Sequence, residues 1–182
     1  MANTFKPFIF EGVEVRIVPR ESIDGRTFHV SRDGTKGCNV MPNGTIKNCN
    51  ATPVTCPNSK YNGRRKQHYL QFKDVFGHHK PILAAHAVYL AWSGKPIPPG
   101  HQIHHLNGIT TDNRFDNLVC LSISEHRRYD AVQRSLRMAG RLDKMTSAEI
   151  LEVTSLISFV VGQSQLKRIQ IVKSTWYVVL CT

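Results

Sequence analysis

The residues best suited to chemistry lie between positions 101 and 130. His104 and His105 stand side by side, Asn117 follows a loop dense in Asn and Asp, and His126 comes after a short apolar run. A neutral imidazole, with a pKa near ~6.5, can take a proton from water at physiological pH. Imidazoles also bind divalent cations, which stabilise negative charge on a phosphate under attack. This set therefore suits hydrolysis of a phosphodiester bond.

The adjacency of His104 and His105 predicts two different roles. Successive residues of a β-strand point to opposite faces, so one side chain can contact a metal while the other contacts water. The Asn and Asp side chains of the loop can hydrogen-bond nearby backbone and fix an irregular path. Any single histidine is more often structural than catalytic, so the alternative is a loop-rich core with incidental histidines.

Two strands and a helix must position these residues. We predict one strand through the histidine pair, a second at 118–122, and a helix that begins near Ser124 as its N-cap and ends near Arg137. An earlier helix is predicted at 82–93, stopped by Gly94 and the Pro-rich segment after it.

This segment resembles the ββα-metal motif of HNH endonucleases. The resemblance is carried by HHLNG at 104–108, TDNRFDNL at 111–118 and the EH pair at 125–126. It covers about residues 80–130 and is most similar to the group that includes phage and intron homing endonucleases. Residues 1–79 are only loosely similar to the turn-rich N-terminal regions of that group.

The resemblance implies roles for the histidines. His105 is the general base that activates water, and His104 and His126 are metal ligands. Asp130 lies four residues after His126, on the same helix face. Some family members carry a further ligand there, usually a histidine, so the ligand count stays open.

The resemblance also implies roles for polar neighbours. Asn117 ties the loop to the finger and holds the general base in orientation, and Asn113 is a second anchor of the loop. Arg127 and Arg128 are placed to meet phosphate or the leaving group, although either could be an ordinary solvated arginine.

The N-terminal region predicts a surface of strands and turns. Phe, Val and Ile at 5–18 favour strands, and the Gly, Asn, Asp and Pro of 22–63 favour short strands and loops over helices. The segment 61–72 predicts a hairpin turn that leads into a strand and carries three basic residues beside the turn, Arg64, Arg65 and Lys66. A two-stranded ribbon of this kind fits the DNA major groove, and a solvated hairpin tip explains it equally well.

The C-terminal region predicts three short helices. Thr146 and Glu149 form a capping box for the first, which Gly162 ends, 162–171 suggests the second, and Ser174 caps the third. The pattern is typical of a degenerate helix-turn-helix, although the last segment is apolar enough to be core.

The predicted fold is therefore α+β in three parts. A β- and loop-rich DNA-contacting region at 1–79 precedes a ββα-metal nuclease core at 80–142 and a small helical DNA-binding module at 143–182. No run reaches the roughly 20 apolar residues of a membrane span, and the start lacks the pattern of a secretory signal.

Charge predicts a nucleic-acid partner. The chain of 182 residues has a net charge of +11, and basic residues that meet phosphates release condensed counterions. Residues 1–80 carry 13 Lys and Arg against 6 Asp and Glu, residues 81–125 carry 2 against 3, and residues 126–182 carry 9 against 4. A nearly neutral centre between two basic flanks is what an active site between two DNA-gripping regions would show.

Together with these observations, the resemblance implies a site-specific DNA endonuclease of the homing type that uses Mg²⁺ or another divalent ion such as Mn²⁺. Imidazoles accept Zn²⁺ as well, but open positions for water and phosphate favour Mg²⁺. The five scattered cysteines favour a reduced, cytoplasmic protein, which the resemblance places in the bacterial host of a phage or mobile element. We expect a monomer on double-stranded DNA. The alternatives are a non-specific or restriction-type nuclease and a DNA-binding regulator that keeps an inactive finger.

Overall fold

The computed structural model describes residues 7–18, 27–41, 43–55, 66–73, 79–161, 169–171 and 178–180. Its elements are, in chain order, β1 Phe8–Phe10, β2 Val13–Ile17, β3 Thr27–Ser31, β4 Lys36–Val40, β5 Ile46–Thr55, β6 Lys66–Lys73, β7 His79–Leu83, α1 Ala84–Ser93, β8 His101–His105, β9 Leu118–Ser122, α2 Ile123–Met138, α3 Ser147–Val161, β10 Ile169–Ile171 and β11 Val178–Leu180. The mixed α+β class is as predicted.

The chain divides into two compact units. The first unit comprises Met1–Pro98 and Thr110–Leu118, and the second comprises Pro99–Ile109 and Val119–Thr182. The boundaries predicted from the sequence, at residues 79 and 142, stay predictions. None of the helices in the described part of the chain is both long and apolar enough to cross a membrane.

The first unit is built on a seven-stranded sheet, β1 to β7 in chain order, with every neighbouring pair antiparallel. Helix α1 buries the small side chains Ala84, Ala87 and Val88, and β3 contributes the buried Phe28 and Val30. Small residues on a helix permit close approach to a sheet. The strands and turns predicted for this region are found in its described residues, which contain no helix before α1.

Helix α1 begins later than predicted. Ile82 belongs to β7 and pairs with Leu70 of β6, so the helix starts at Ala84. Periodicity alone could not separate strand from helix at Ile82, because an apolar residue suits a buried strand as well as a helix face. The predicted end is confirmed, since Gly94 has a φ of 64°, the left-handed conformation that ends helices.

From β8 to α2 the chain has the predicted order of strand, loop, strand and helix, and residues 110–117 of the loop belong to the first unit. Strands β8 and β9 pair in a two-stranded sheet, and α2 follows at once. The apolar core draws on both strand ends, on α2 and on α3, and consists of Leu106, Leu121, Tyr129, Val132, Leu136, Leu142, Ile150 and Val153.

The N-cap of α2 is Ser122 and not Ser124, which corrects the sequence prediction. The Ser122 hydroxyl accepts a hydrogen bond from the Glu125 N–H at 3.3 Å, and the Ser122 N–H donates to Glu125 Oε2 at 2.8 Å. A capping box needs Glu or Gln three residues after the cap. Ser122 has Glu125 in that place, whereas Ser124 has Arg127.

The C-terminal module differs from the prediction. The capping box of α3 is confirmed, with the Thr146 N–H donating to Glu149 Oε2 at 2.7 Å and the Glu149 N–H donating to Thr146 Oγ1 at 3.3 Å. The two helices predicted after α3 are wrong where the chain is described, because β10 and β11 form an antiparallel pair there. The β-branched residues of these short segments favour strands.

Candidate active site

The His104 side chain is buried at the inner face of β8. It is 4% exposed and lies edge-on to two rings of α2, with centroid distances of 5.6 Å to Tyr129 and 4.6 Å to His126. Residues of α2 therefore form one wall around the imidazole.

His126 and Asp130 stand one turn apart on α2 and meet this imidazole. His126 Nε2 lies 3.3 Å from His104 Nδ1, and His126 Nδ1 lies 3.2 Å from Asp130 Oδ2. The other carboxylate oxygen of Asp130 lies 3.7 Å from His104 Nδ1. The structure thus brings together the two histidines predicted to bind metal and the aspartate whose part was open.

The donor set of His104, His126 and Asp130 fits a divalent cation. One ligand atom from each residue can be chosen so that all lie within 4.8 Å of one another. Two ligand atoms about 2.1 Å from a common ion, at angles between octahedral and tetrahedral, are roughly 3.0–3.4 Å apart. The 3.3 Å between His126 Nε2 and His104 Nδ1 falls in this range.

Asp130 can act on His126 as well as on a cation. If His126 carries its proton on Nδ1, it donates to Asp130 Oδ2 and leaves Nε2 free to bind metal on the side of His104. A carboxylate behind a ligating imidazole fixes the tautomer and the orientation of the ring.

His105 occupies the end of β8 and is half-buried. As the next residue of the strand, it points to the face opposite His104, and it is not a member of the His104–His126–Asp130 group. The separation of roles that adjacency predicts is therefore compatible with this geometry.

The backbone after His105 is held by a residue that the sequence analysis missed. Gln133 of α2 donates from Nε2 to the carbonyl oxygens of His105 and Leu106, at 2.6 Å and 2.7 Å. A signal was present, because Gln133 interrupts the apolar stripe of Tyr129, Val132 and Leu136. A polar residue in such a stripe usually has a buried hydrogen-bond partner.

Asn117 and Asn113 lie in the first unit, and both are buried. Asn117 Nδ2 donates to the Asp112 carbonyl at 2.8 Å, which ties the loop to itself. Asn113 Nδ2 lies 3.4 Å from the Thr111 carbonyl and 3.4 Å from His68 Nδ1. The influence of Asn117 on His105 stays a prediction.

The basic residues predicted to contact DNA are described unequally. Arg127 and Arg128 are exposed on α2, directly after His126. Arg64 and Arg65 lie outside the described residues, and Lys66 opens β6 with its side chain outside them.

One segment of the chain is similar to a known family. Residues 84–128 match the family model of HNH endonucleases. The matched part runs from the start of α1 into the first turns of α2, so it includes His104, His105 and His126 and stops before Asp130. It is less than half of the chain. No curated protein and no solved structure matches.

Proposed function

We propose that this protein is a metal-dependent HNH endonuclease that hydrolyses DNA phosphodiester bonds. The observation that carries the proposal is the meeting of His104, His126 and Asp130 within 4.8 Å, because both histidines belong to the segment that matches the HNH endonuclease family. A divalent cation bound there would stabilise negative charge on the scissile phosphate and on the departing 3′ oxygen. We propose Mg²⁺ or Mn²⁺ as that ion, with Zn²⁺ as the alternative that imidazoles also accept.

His105 is the proposed general base. A neutral imidazole takes a proton from water as the water oxygen forms its bond to phosphorus. The bond between phosphorus and the 3′ oxygen breaks, and the 3′ oxygen receives a proton from solvent. The position of His105 on the strand face opposite His104 supports this division, because the two rings point to different faces and His104 is the one that meets His126.

We propose an enzyme of the homing type, a monomer that cuts double-stranded DNA at a specific site. The basic flanks support a DNA substrate, with 13 Lys and Arg against 6 Asp and Glu in residues 1–80. Exposed Arg127 and Arg128 next to the metal-ligand group would contact backbone phosphates. The β-rich region at 1–79 is the part proposed to read the DNA sequence.

Cleavage of two plasmids tests the proposal, one with the DNA that flanks the gene and one unrelated. We expect discrete products from the first plasmid alone, with Mg²⁺ or Mn²⁺ and not with EDTA. His105→Ala should abolish cutting and retain the gel shift, while His101→Ala, on the same strand, serves as the matched control. Uniform degradation of both plasmids would indicate a non-specific nuclease. Binding without cleavage under any divalent metal would indicate a regulator with an inactive finger.

A further inference from the structure

The Gln133 side chain has an unusual place in the second unit. It is 5% exposed and lies among the apolar residues of α2 that face the core. Its Nε2 atom has two hydrogens, and both are used, one on the carbonyl of His105 and one on the carbonyl of Leu106.

These two carbonyls belong to the peptide groups directly after the proposed general base. Strand β8 ends at His105, so the ladder of the sheet does not continue through the following residues. These bonds hold the peptide planes on either side of Leu106, and strand β8 holds the backbone before His105, so the direction of the His105 Cα–Cβ bond is restricted from both sides.

The same turn is closed from the other side. The Gly108 N–H donates to the His105 carbonyl at 2.9 Å, and Gly108 has a φ of +72°. A Cβ atom at Gly108 would lie 2.6 Å from Arg137 Nη2 and 3.2 Å from Gln133 Oε1. The turn is therefore packed against two residues of α2 that are one helical turn apart.

We propose that Gln133 is a positioning residue for catalysis, which holds His105 in the orientation that proton transfer requires. The inference rests on the proposed function. It goes beyond it because one helix, α2, then supplies the metal ligands His126 and Asp130 and also fixes the backbone of the base. The alternative is that Gln133 only stabilises the fold.

Gln133→Met tests this proposal, because methionine has a similar length and no donor. The matched control is Thr154→Val, which removes another buried side-chain bond to backbone in the same unit, from Thr154 Oγ1 to the Ile150 carbonyl at 2.7 Å. We expect Gln133→Met to lower the single-turnover cleavage rate on the order of 10²-fold, as a misplaced catalytic group does. Its DNA dissociation constant in EDTA should stay within about twofold of that of the wild type, because Gln133 is buried away from solvent. Thr154→Val should retain the wild-type rate at a comparable loss of Tm.

A second variant perturbs the same turn without changing Gln133. Gly108→Ala adds a Cβ against Arg137 and Gln133 at a left-handed φ, so it should also lower the rate without weakening DNA binding. Combined with Gln133→Met, its effect should be less than multiplicative, because both changes release the same turn. If Gln133→Met does not fold, the rate of Gly108→Ala decides whether the turn positions His105.

Three results separate the possible failures. Rate losses in Gln133→Met no larger than those in Thr154→Val, or a wild-type rate in Gly108→Ala, would overturn the positioning role and leave the endonuclease proposal standing. Failure of the wild-type protein to cleave would overturn both. A rate loss in Gln133→Met that is matched by an equal loss of DNA affinity would mean that the residue shapes the binding surface instead.

Discussion

The carboxylate of Asp130 lies one helical turn after the ring of His126, with Oδ2 3.2 Å from Nδ1. This contact directs the opposite ring nitrogen, Nε2, toward His104. Because i and i+4 residues of a helix are neighbours, the orientation of this imidazole is fixed within α2 itself.

Asp130→Asn should weaken metal binding by about 10- to 100-fold, the usual effect of losing a partner of a ligating histidine. Mn²⁺ titration followed by electron paramagnetic resonance measures the affinity without requiring cleavage. Asp143→Asn makes the same charge change at an exposed position of the same unit and should leave the affinity unchanged. Equal Mn²⁺ affinities in the two variants would show that Asp130 does not contribute to metal binding.

Arg127→Ala and Arg128→Ala should weaken DNA binding and reduce its salt dependence. Each lost phosphate contact lowers the slope of log K against log salt by about 1. Fluorescence anisotropy between low and moderate salt measures this slope. Arg134→Ala, exposed farther along α2, is the control, and an equal effect there would indicate general charge attraction instead of local contact.

Ser122→Ala should destabilise the second unit by about 1 kcal/mol, the usual cost of losing an N-cap. The cap hydrogen bond joins the Ser122 hydroxyl to the Glu125 N–H. Ser124→Ala should cost clearly less, because Ser124 lies inside the helix. Urea denaturation of both variants measures the difference in unfolding free energy. A larger loss in Ser124→Ala than in Ser122→Ala would mean that Ser124 is the N-cap.

Glu125→Gln should make the stability of the protein less dependent on pH. Hydrogen bonds from the Ser122 hydroxyl and N–H hold the pKa of Glu125 below its ordinary value. A lowered folded-state pKa stabilises the protein above the ordinary pKa of glutamate, and this contribution is lost as the pH falls through the lowered value. The Tm advantage of the wild type should therefore be present at neutral pH and vanish in acid. Glu152→Gln, at an exposed position of α3, is the control.

Asn117→Asp should destabilise the first unit by roughly 1–3 kcal/mol, because a buried donor to the Asp112 carbonyl becomes an acceptor. Asn43→Asp is a matched control, since Asn43 Oδ1 already acts as an acceptor for the Thr45 N–H at 3.0 Å. Thermal unfolding followed by circular dichroism compares the two. Similar Tm values would show that the Asn117 amide does not hold its loop.

Local signals made part of this structure predictable. The Gly94 helix stop and the Thr146–Glu149 capping box depend on residues close in sequence, so their types suffice. The grouping of His104 with His126 followed from the family resemblance. Strand alternation and the i, i+4 spacing of Asp130 then limited which side chains could join them.

The remainder depends on contacts between distant segments. Gln133 could be marked as a polar residue in an apolar stripe, but its partners, 27 and 28 residues earlier, emerge only when α2 packs on the end of β8. The sequence predicts helices where β10 and β11 lie, because a short apolar run has no period that separates helix from strand. Whether such a segment forms a strand depends on the segment that it pairs with.

Helix α2 carries His126, Asp130, Gln133 and Arg137 at spacings of one helical turn. A helix that bears two of the proposed ion ligands, His126 and Asp130, and also the proposed positioning residue of the base, Gln133, should lose both functions when it moves away from β8. Local separation of α2 from β8 should therefore abolish ion binding and the orientation of His105 in a single cooperative event. An ion bound to the folded site would in turn oppose that opening, which couples the lifetime of the assembled centre to the concentration of the ion.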